Sequence, residues 1–289
     1  MTDLLIAHTS DLHIGRAAGP ERHERGRSGW SAFRRFVDAT RPDLVVVGGD
    51  IVVDDPDDIA DQREARNMIG GLPVPFVVVP GNHDVGDHPV RDGLPVDWHG
   101  KPVSESRVTT WEAEWGPSYW LHDLRGWRVV GINSQLFGSG LDREDQQWTW
   151  LEHKALPVDL QRPTLVVAHE SLHLRPEHSD GTGGADSWMS MPRESSERLA
   201  DLFRRRPVRL VSAGHTHRHL EWAIGGINQV TAPSLVGAIP SRPDMAQAQG
   251  DAEPGWLTYR LSRTGRISVT AHSTNSSPAE HDCAQEALT

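Results

Sequence analysis

Cysteine is almost missing from this 289-residue chain: Cys283, near the C-terminal end, is the only one. A lone thiol makes no internal disulfide, so no redox staple holds the fold. Long apolar runs are missing as well. The longest, at 44–47 and 76–79, are strand-length, against roughly 20 residues for a membrane span. That excludes a transmembrane protein and any membrane partner. The first eight residues carry no basic segment and run straight into a strand pattern, which argues against a secretory signal and for a cytoplasmic protein. Positive charge is in short supply, 29 basic against 40 acidic residues, for a net charge of −11. Such a chain is not built to wrap a nucleic-acid polymer. A small anionic substrate stays open, because bound cations reverse the sign locally. No internal repeat or low-complexity domain is present. Histidine, at sixteen residues, is plentiful, and the histidines carry the argument.

Short runs rich in Val and Ile recur between polar stretches of helical spacing. The pattern predicts strands at 4–9, 43–48, 75–79, 127–133, 163–168 and 208–213, then at 219–224, 227–231, 255–261 and 266–271. It predicts helices at 29–40, 57–69, 143–155 and 194–206, with Asp142 capping the third and Pro207 ending the fourth. Strand and helix alternate through residue 213, which argues for parallel β-α units, and the last quarter reads as an antiparallel meander. The sum is an α/β sandwich, strands inside and helices outside. Residues 1–272 read as a single domain with loop excursions at 86–117 and 173–193; 240–254 is also irregular, and 273–289 has the composition of a flexible tail.

Five segments concentrate acids and histidines, each just after a predicted strand: Asp11-Leu12-His13, Gly48-Gly49-Asp50, Gly81-Asn82-His83-Asp84, His169, and Gly214-His215-Thr216-His217. Ligands of open α/β sheets gather beyond the carboxyl ends of strands, so the five can converge. Asp11 and His13 point the same way if the chain there stays extended. Carboxylate, imidazole and amide-oxygen donors suit Mn, Fe or Zn and disfavour iron–sulfur or Cu(I) chemistry. Asp11, His13, Asp50, Asn82, His169, His215 and His217 are too many donors for one ion and about enough for two.

The ordered set D-x-H, GD, GNHD, H, GHTH resembles the calcineurin-like metallophosphoesterase superfamily over residues 11–217. The resemblance implies a four-layer α/β/β/α sandwich with two mixed central sheets. It implies that Asp11, His13, Asp50 and His217 bind one ion, and that Asp50, Asn82, His169 and His215 bind a second, with Asp50 shared. It further implies that His83 assists the leaving group while a metal-bridging hydroxide attacks. The glycines before Asp50, Asn82 and His215 would let the backbone turn sharply. A small phosphorylated substrate is expected, and the oligomeric state is left open. Three activities fit: a phosphomonoesterase or small phosphodiesterase, a cyclic-nucleotide phosphodiesterase of the cAMP type, or an inert metal-binding scaffold. The missing DRG element disfavours phosphoprotein phosphatases, and Val53 in place of a tyrosine disfavours a purple iron centre.

Around these, Arg16, His88, His173 and His219 are candidates for binding substrate, by their spacing from His13, His83, His169 and His217. Trp98, Trp111, Trp115, Trp120 and Trp127 read as packing of a long excursion rather than a base-stacking platform. The acidic run 54–58 reads as a solvated helix start.

Overall fold

A computed structural model of the chain describes residues 3–15, 20–52, 55–89, 101–172, 189–237, 250–275 and 286–288. Two six-stranded mixed sheets form its centre. In the first, β1 (Leu4–Thr9), β2 (Leu44–Val47) and β3 (Phe76–Val78) run parallel, and β10 (Gly255–Leu261), β11 (Ile267–Ser273) and β12 (Glu286–Leu288) extend the β1 side antiparallel. In the second, β5 (Trp127–Gly131), β6 (Thr164–Val167), β7 (Val208–Ala213) and β9 (Ile227–Thr231) run parallel, flanked by antiparallel β4 (Trp120–Leu124) and β8 (Leu220–Ile224). Strands β2 and β6 are fully buried and rich in Val and Leu, as strands covered on both faces must be.

Three apolar layers follow. Leu4, Ile6 and Val46 of one sheet meet Val129, Leu165 and Val230 of the other between the sheets. The outer face of the first sheet packs on α1 (Pro20–Thr40), α2 (Ile59–Gly70) and α4 (Glu105–Trp115) through Phe33, Ile69 and Trp111. The outer face of the second packs on α5 (Asp142–Trp150) and α6 (Arg193–Arg204) through Trp148, Leu199 and Phe203. This is the four-layer α/β/β/α sandwich expected.

Several elements depart from the sequence pattern. The last four expected strands are no single meander: β8 and β9 form a hairpin whose β9 joins β7 in parallel, whereas β10 crosses to pair with β1. Leu141, not Asp142, holds the cap position of α5, whose last turn widens into a π-type turn over Leu151–Ala155. Helix α6 stops at Arg204, before Pro207. The 86–117 stretch contains α4, capped by Ser104 Oγ accepting from the Arg107 N–H. Asp58 caps α2 by accepting from Ala60 and Asp61 N–H, whereas Asp57 pairs with Lys101 and Arg107. The tryptophans do pack: Trp111 and Trp127 are buried, and Trp115 stacks on Trp111. Trp98, Val53 and Cys283 lie outside the described residues, as do most of 173–193 and of the tail.

Candidate metal centre

The five chemistry-bearing segments meet at one edge of the sandwich, each beyond the carboxyl end of its strand: β1, β2 and β3 from one sheet, β6 and β7 from the other. Their side chains fall into overlapping groups. Asp11, His13 and His217 bring one ligand atom each within 4.8 Å of one another, as do Asp50, His169 and His215, and as do His13, Asp50 and His83. Asp50 stands between the groups. Its Oδ1 lies 3.3 Å from His169 Nε2, and its Oδ2 lies 3.9 Å from His13 Nε2 and 3.8 Å from His83 Nε2. Asn82 Oδ1 joins the second group, 3.2 Å from His169 Nε2.

Hydrogen bonds on the outer side aim the imidazoles inward. His169 Nδ1–H donates to the Gly48 carbonyl at 2.8 Å and His217 Nδ1–H to the Gly237 carbonyl at 2.8 Å. In the neutral ring each Nε2 then turns its lone pair toward the cluster. His13 Nε2 and His217 Nε2 approach to 2.9 Å, and His169 Nε2 and His215 Nδ1 to 3.1 Å. Asp11 Oδ1, buried and accepting no hydrogen bond among the described residues, lies 3.3 Å from His217 Nε2. Lone pairs and anionic oxygens crowded inward repel one another unless positive charge sits among them. The donor set therefore fits divalent or trivalent cations.

The electrostatics agree. Burial opposes charge on Asp50, yet His169, His83 and His13 hold its carboxyl well below the usual carboxylate range. Burial opposes charge on His169 too, but Asp50 and Asp11 push it up to about 10. The acids thus draw a positive charge into the cluster, and a cation would displace a proton in taking that place.

The backbone here is strained. Asp11, His13, Asp50, His215 and His217 all adopt positive φ, between 46° and 65°. Asp11 and His13 therefore converge from left-handed turns, not from the extended chain the D-x-H spacing suggests. Such residues cost about 1–3 kcal/mol each and concentrate at functional sites. Of the glycines, Gly49 takes positive φ (96°) and makes the turn before Asp50. Gly81 stays extended, and neither it nor Gly214 has positive φ. Their need is space: a Cβ on Gly214 would strike Ser10 Oγ and come within 2.6 Å of Asp11 Oδ2.

His88 Nε2 lies 2.8 Å from Glu170 Oε2. His219 instead pairs with Glu221 at 3.0 Å, and among the described residues it bonds to no member of the cluster. Arg16 and His173 lie outside the described residues. Asp84, the last letter of GNHD, sits at the centre of the support and has no assigned role in the sequence reading. Its carboxylate accepts from Gly81 N–H (2.8 Å), Ile51 N–H (3.0 Å) and Val52 N–H (3.1 Å). Burial and the charge of Asp50 push it up to about 7, against those three backbone donors. The place of Asp84 directly after Asn82 and His83 was the available signal.

Residues 4–219 match the family described as calcineurin-like phosphoesterase. The chain belongs to that family. Its calcineurin-like phosphoesterase region spans every segment of the cluster. Among curated proteins, the chain is 27% identical over 206 residues to the serine/threonine-protein phosphatase CPPED1 of Danio rerio, covering 68% of this chain and 60% of that relative's length. It is 26% identical over 264 residues to a probable cyclic nucleotide phosphodiesterase of a Psychrobacter strain, covering 89% of this chain and 71% of that protein. Solved structures that share the fold include two that cover nearly the whole chain. One is GAP50, described as the anchor in the inner membrane complex of Plasmodium (TM-score 0.65, 14% identity, covering 100% of this chain and 89% of that one). The other is a dimetal phosphatase from Danio rerio (TM-score 0.60, 13% identity, covering 95% and 97%). No helix among the described residues is long and apolar enough to cross a membrane.

Proposed function

We propose that the chain is a dinuclear metal-dependent phosphoester hydrolase acting on small phosphorylated substrates. Asp11, His13, Asp50 and His217 would hold one ion; Asp50, Asn82, His169 and His215 would hold the other. The observation that carries this reading is the placement of Asp50, whose two carboxylate oxygens face different ligand groups. Bound ions would neutralise the phosphoryl oxygens and bring the pKa of water down to about 7, so that a nucleophile exists at neutral pH.

The chain's own residues supply the rest. Asn82 is an uncharged donor and adds no repulsion toward an anionic substrate. His83 is more exposed than the aspartates and other histidines of the cluster, with an 18% exposed side chain and Nε2 3.8 Å from Asp50 Oδ2. Its ring stands edge-on to that of His13, with centroids 4.9 Å apart. From there it can give a proton to a departing alkoxide, a contribution of roughly 10²–10⁴-fold.

A diester reading, including cyclic nucleotides, draws support from the Psychrobacter relative's name. The experiment is a panel of monoesters, linear diesters and 3′,5′-cyclic nucleotides with Mn²⁺, Zn²⁺ or Fe²⁺ added and metal content measured in parallel. Turnover that tracks metal loading is the expected result. Full loading without turnover of any ester would assign the fold to a scaffold role.

A further inference from the structure

The end of β5 adds neither acid nor histidine to the metal cluster, yet it carries three buried polar residues, Asn133, Ser134 and Gln135. They sit beside the end of β6, because β5 and β6 pair in parallel. Glu170, directly after His169 and almost fully buried, links them to the opposite sheet. Its Oε1 accepts from Gln135 Nε2–H at 2.9 Å, its Oε2 accepts from His88 Nε2–H at 2.8 Å, and its own N–H donates to Ser134 Oγ at 3.2 Å. It directly follows His169, whose Nε2 lies 3.3 Å from Asp50 Oδ1, so the group borders the second set of candidate metal ligands. Asn133 Oδ1 accepts from Gln135 N–H, and Asn133 N–H donates to Gln147 Oε1 of α5.

A carboxylate only accepts, and this fixes what its partners offer elsewhere. Gln135 turns its NH₂ toward Glu170 and presents Oε1 on the other side. His88 gives Nε2–H to Glu170, and the neutral ring presents Nδ1 as a lone pair. Among the described residues both of these acceptors are buried and without a partner, and so is the donor Asn133 Nδ2. A network serving only to tie the loops together would have no reason to leave such groups unpaired, since each carries its full desolvation penalty.

Resting on the phosphoesterase reading above, we propose that His88, Gln135 and Asn133, arranged by Glu170, form a subsite for hydroxyl groups on the alcohol portion of the phosphoester. A hydroxyl donates to His88 Nδ1 or Gln135 Oε1 and accepts from Asn133 Nδ2. A carboxylate or second phosphate would meet two acceptors and the charge of Glu170. An alkyl alcohol would leave all three atoms unpaired. The favoured class is therefore a phosphoester of a neutral polyhydroxy alcohol.

The test compares glycerol 3-phosphate with propyl phosphate, and the methyl diesters of each, on the metal-loaded protein. Bis-p-nitrophenyl phosphate serves as an ester without hydroxyls, and ethanolamine phosphate as an ammonium probe. The expected result is kcat/KM at least about tenfold higher for the glycerol ester of whichever pair is turned over, with the ratio falling toward one in Gln135→Leu and in His88→Leu separately. These two substitutions lie on different segments, and the wild-type ratio needs neither of them to fold. A ratio near one, a ratio unchanged by both substitutions, a preference for ethanolamine phosphate, or turnover of bis-p-nitrophenyl phosphate alone overturns the subsite and leaves the phosphoesterase reading standing. No turnover of any ester at full metal loading overturns both.

Discussion

Asp50 and Asp84 lock one another's loops. Asp50 Oδ1 accepts from the His83 backbone N–H at 3.0 Å, while the Asp84 carboxylate accepts from Ile51 and Val52 N–H, just beyond Asp50. Each acid thus fixes the backbone that carries the other, and the ends of β2 and β3 are held in register through buried polar contacts.

Asp84→Ala should therefore do two things. It leaves Gly81, Ile51 and Val52 N–H without their acceptor, at about 3–9 kcal/mol of stability in total, since buried unpaired groups cost about 1–3 kcal/mol each. It also frees the Asp50 turn, so metal affinity falls. Thermal unfolding with and without added Mn²⁺ checks both. A variant with wild-type stability and affinity would remove Asp84 from the support of the site.

Asp50→Ala should abolish binding of both ions, not one, because both ligand groups lose the same carboxylate. Metal content by mass spectrometry reads this directly. Retention of two ions per chain would contradict the shared role, and loss of one would reassign Asp50 to a single group.

His83→Ala should retain both ions and lower kcat by roughly 10²–10⁴-fold on esters with poor leaving groups. The loss should be smaller on p-nitrophenyl esters, whose departing phenolate needs little protonation. An equal loss on both kinds of ester would argue against the proton-donor role.

His8 supplies a test by pH. It lies between the sheets with Nδ1 at 2.8 Å from Ser212 Oγ and 3.1 Å from Tyr259 Oη. Burial lowers its pKa from 6.5 to about 4, against the pull of Asp11. The unfolded chain takes up this proton near pH 6.5, whereas the folded chain resists until about 4. Between those values the unfolded state holds more protons, so stability falls as the pH drops from 6.5 to 4 and the change levels off below. The full effect is about 3 kcal/mol. His8→Gln should flatten that part of the urea-unfolding profile, and an unaltered slope would show that the ring is protonated in the native state.

The interior of the fold was legible because it follows simple periods. Strands β7, β9 and β10 fall on the runs of Val, Ile and alternating residues that announce them. Strand β4 was not, because Trp120–Leu124 is an edge strand with no fully buried residue and little alternation. Helix α4 was hidden in a stretch whose glycines and prolines lie before Ser104 or after Trp115. In the site, the order of motifs named the cluster, but the left-handed turns at Asp11, His13 and His217 were illegible. Asp and His take positive φ more readily than most residues, but only a small share of them do, so the type alone does not mark the turn. Glu170 was equally silent, since its meaning depends on His88 and Gln135, which are distant in sequence and brought in by other strands.

The first ligand group also has a consequence for how the protein is made. His13 and His217 face each other across 204 positions of sequence, and β1 gains its antiparallel neighbour only when residues 255–261 exist. While the ribosome is still translating the second sheet, Asp11 and His13 have no His217 to complete their group. On the proposed two-ion reading, capture of the first ion would belong to the last stage of biogenesis, and a polypeptide released before residue 217 would leave the ribosome unable to close that group.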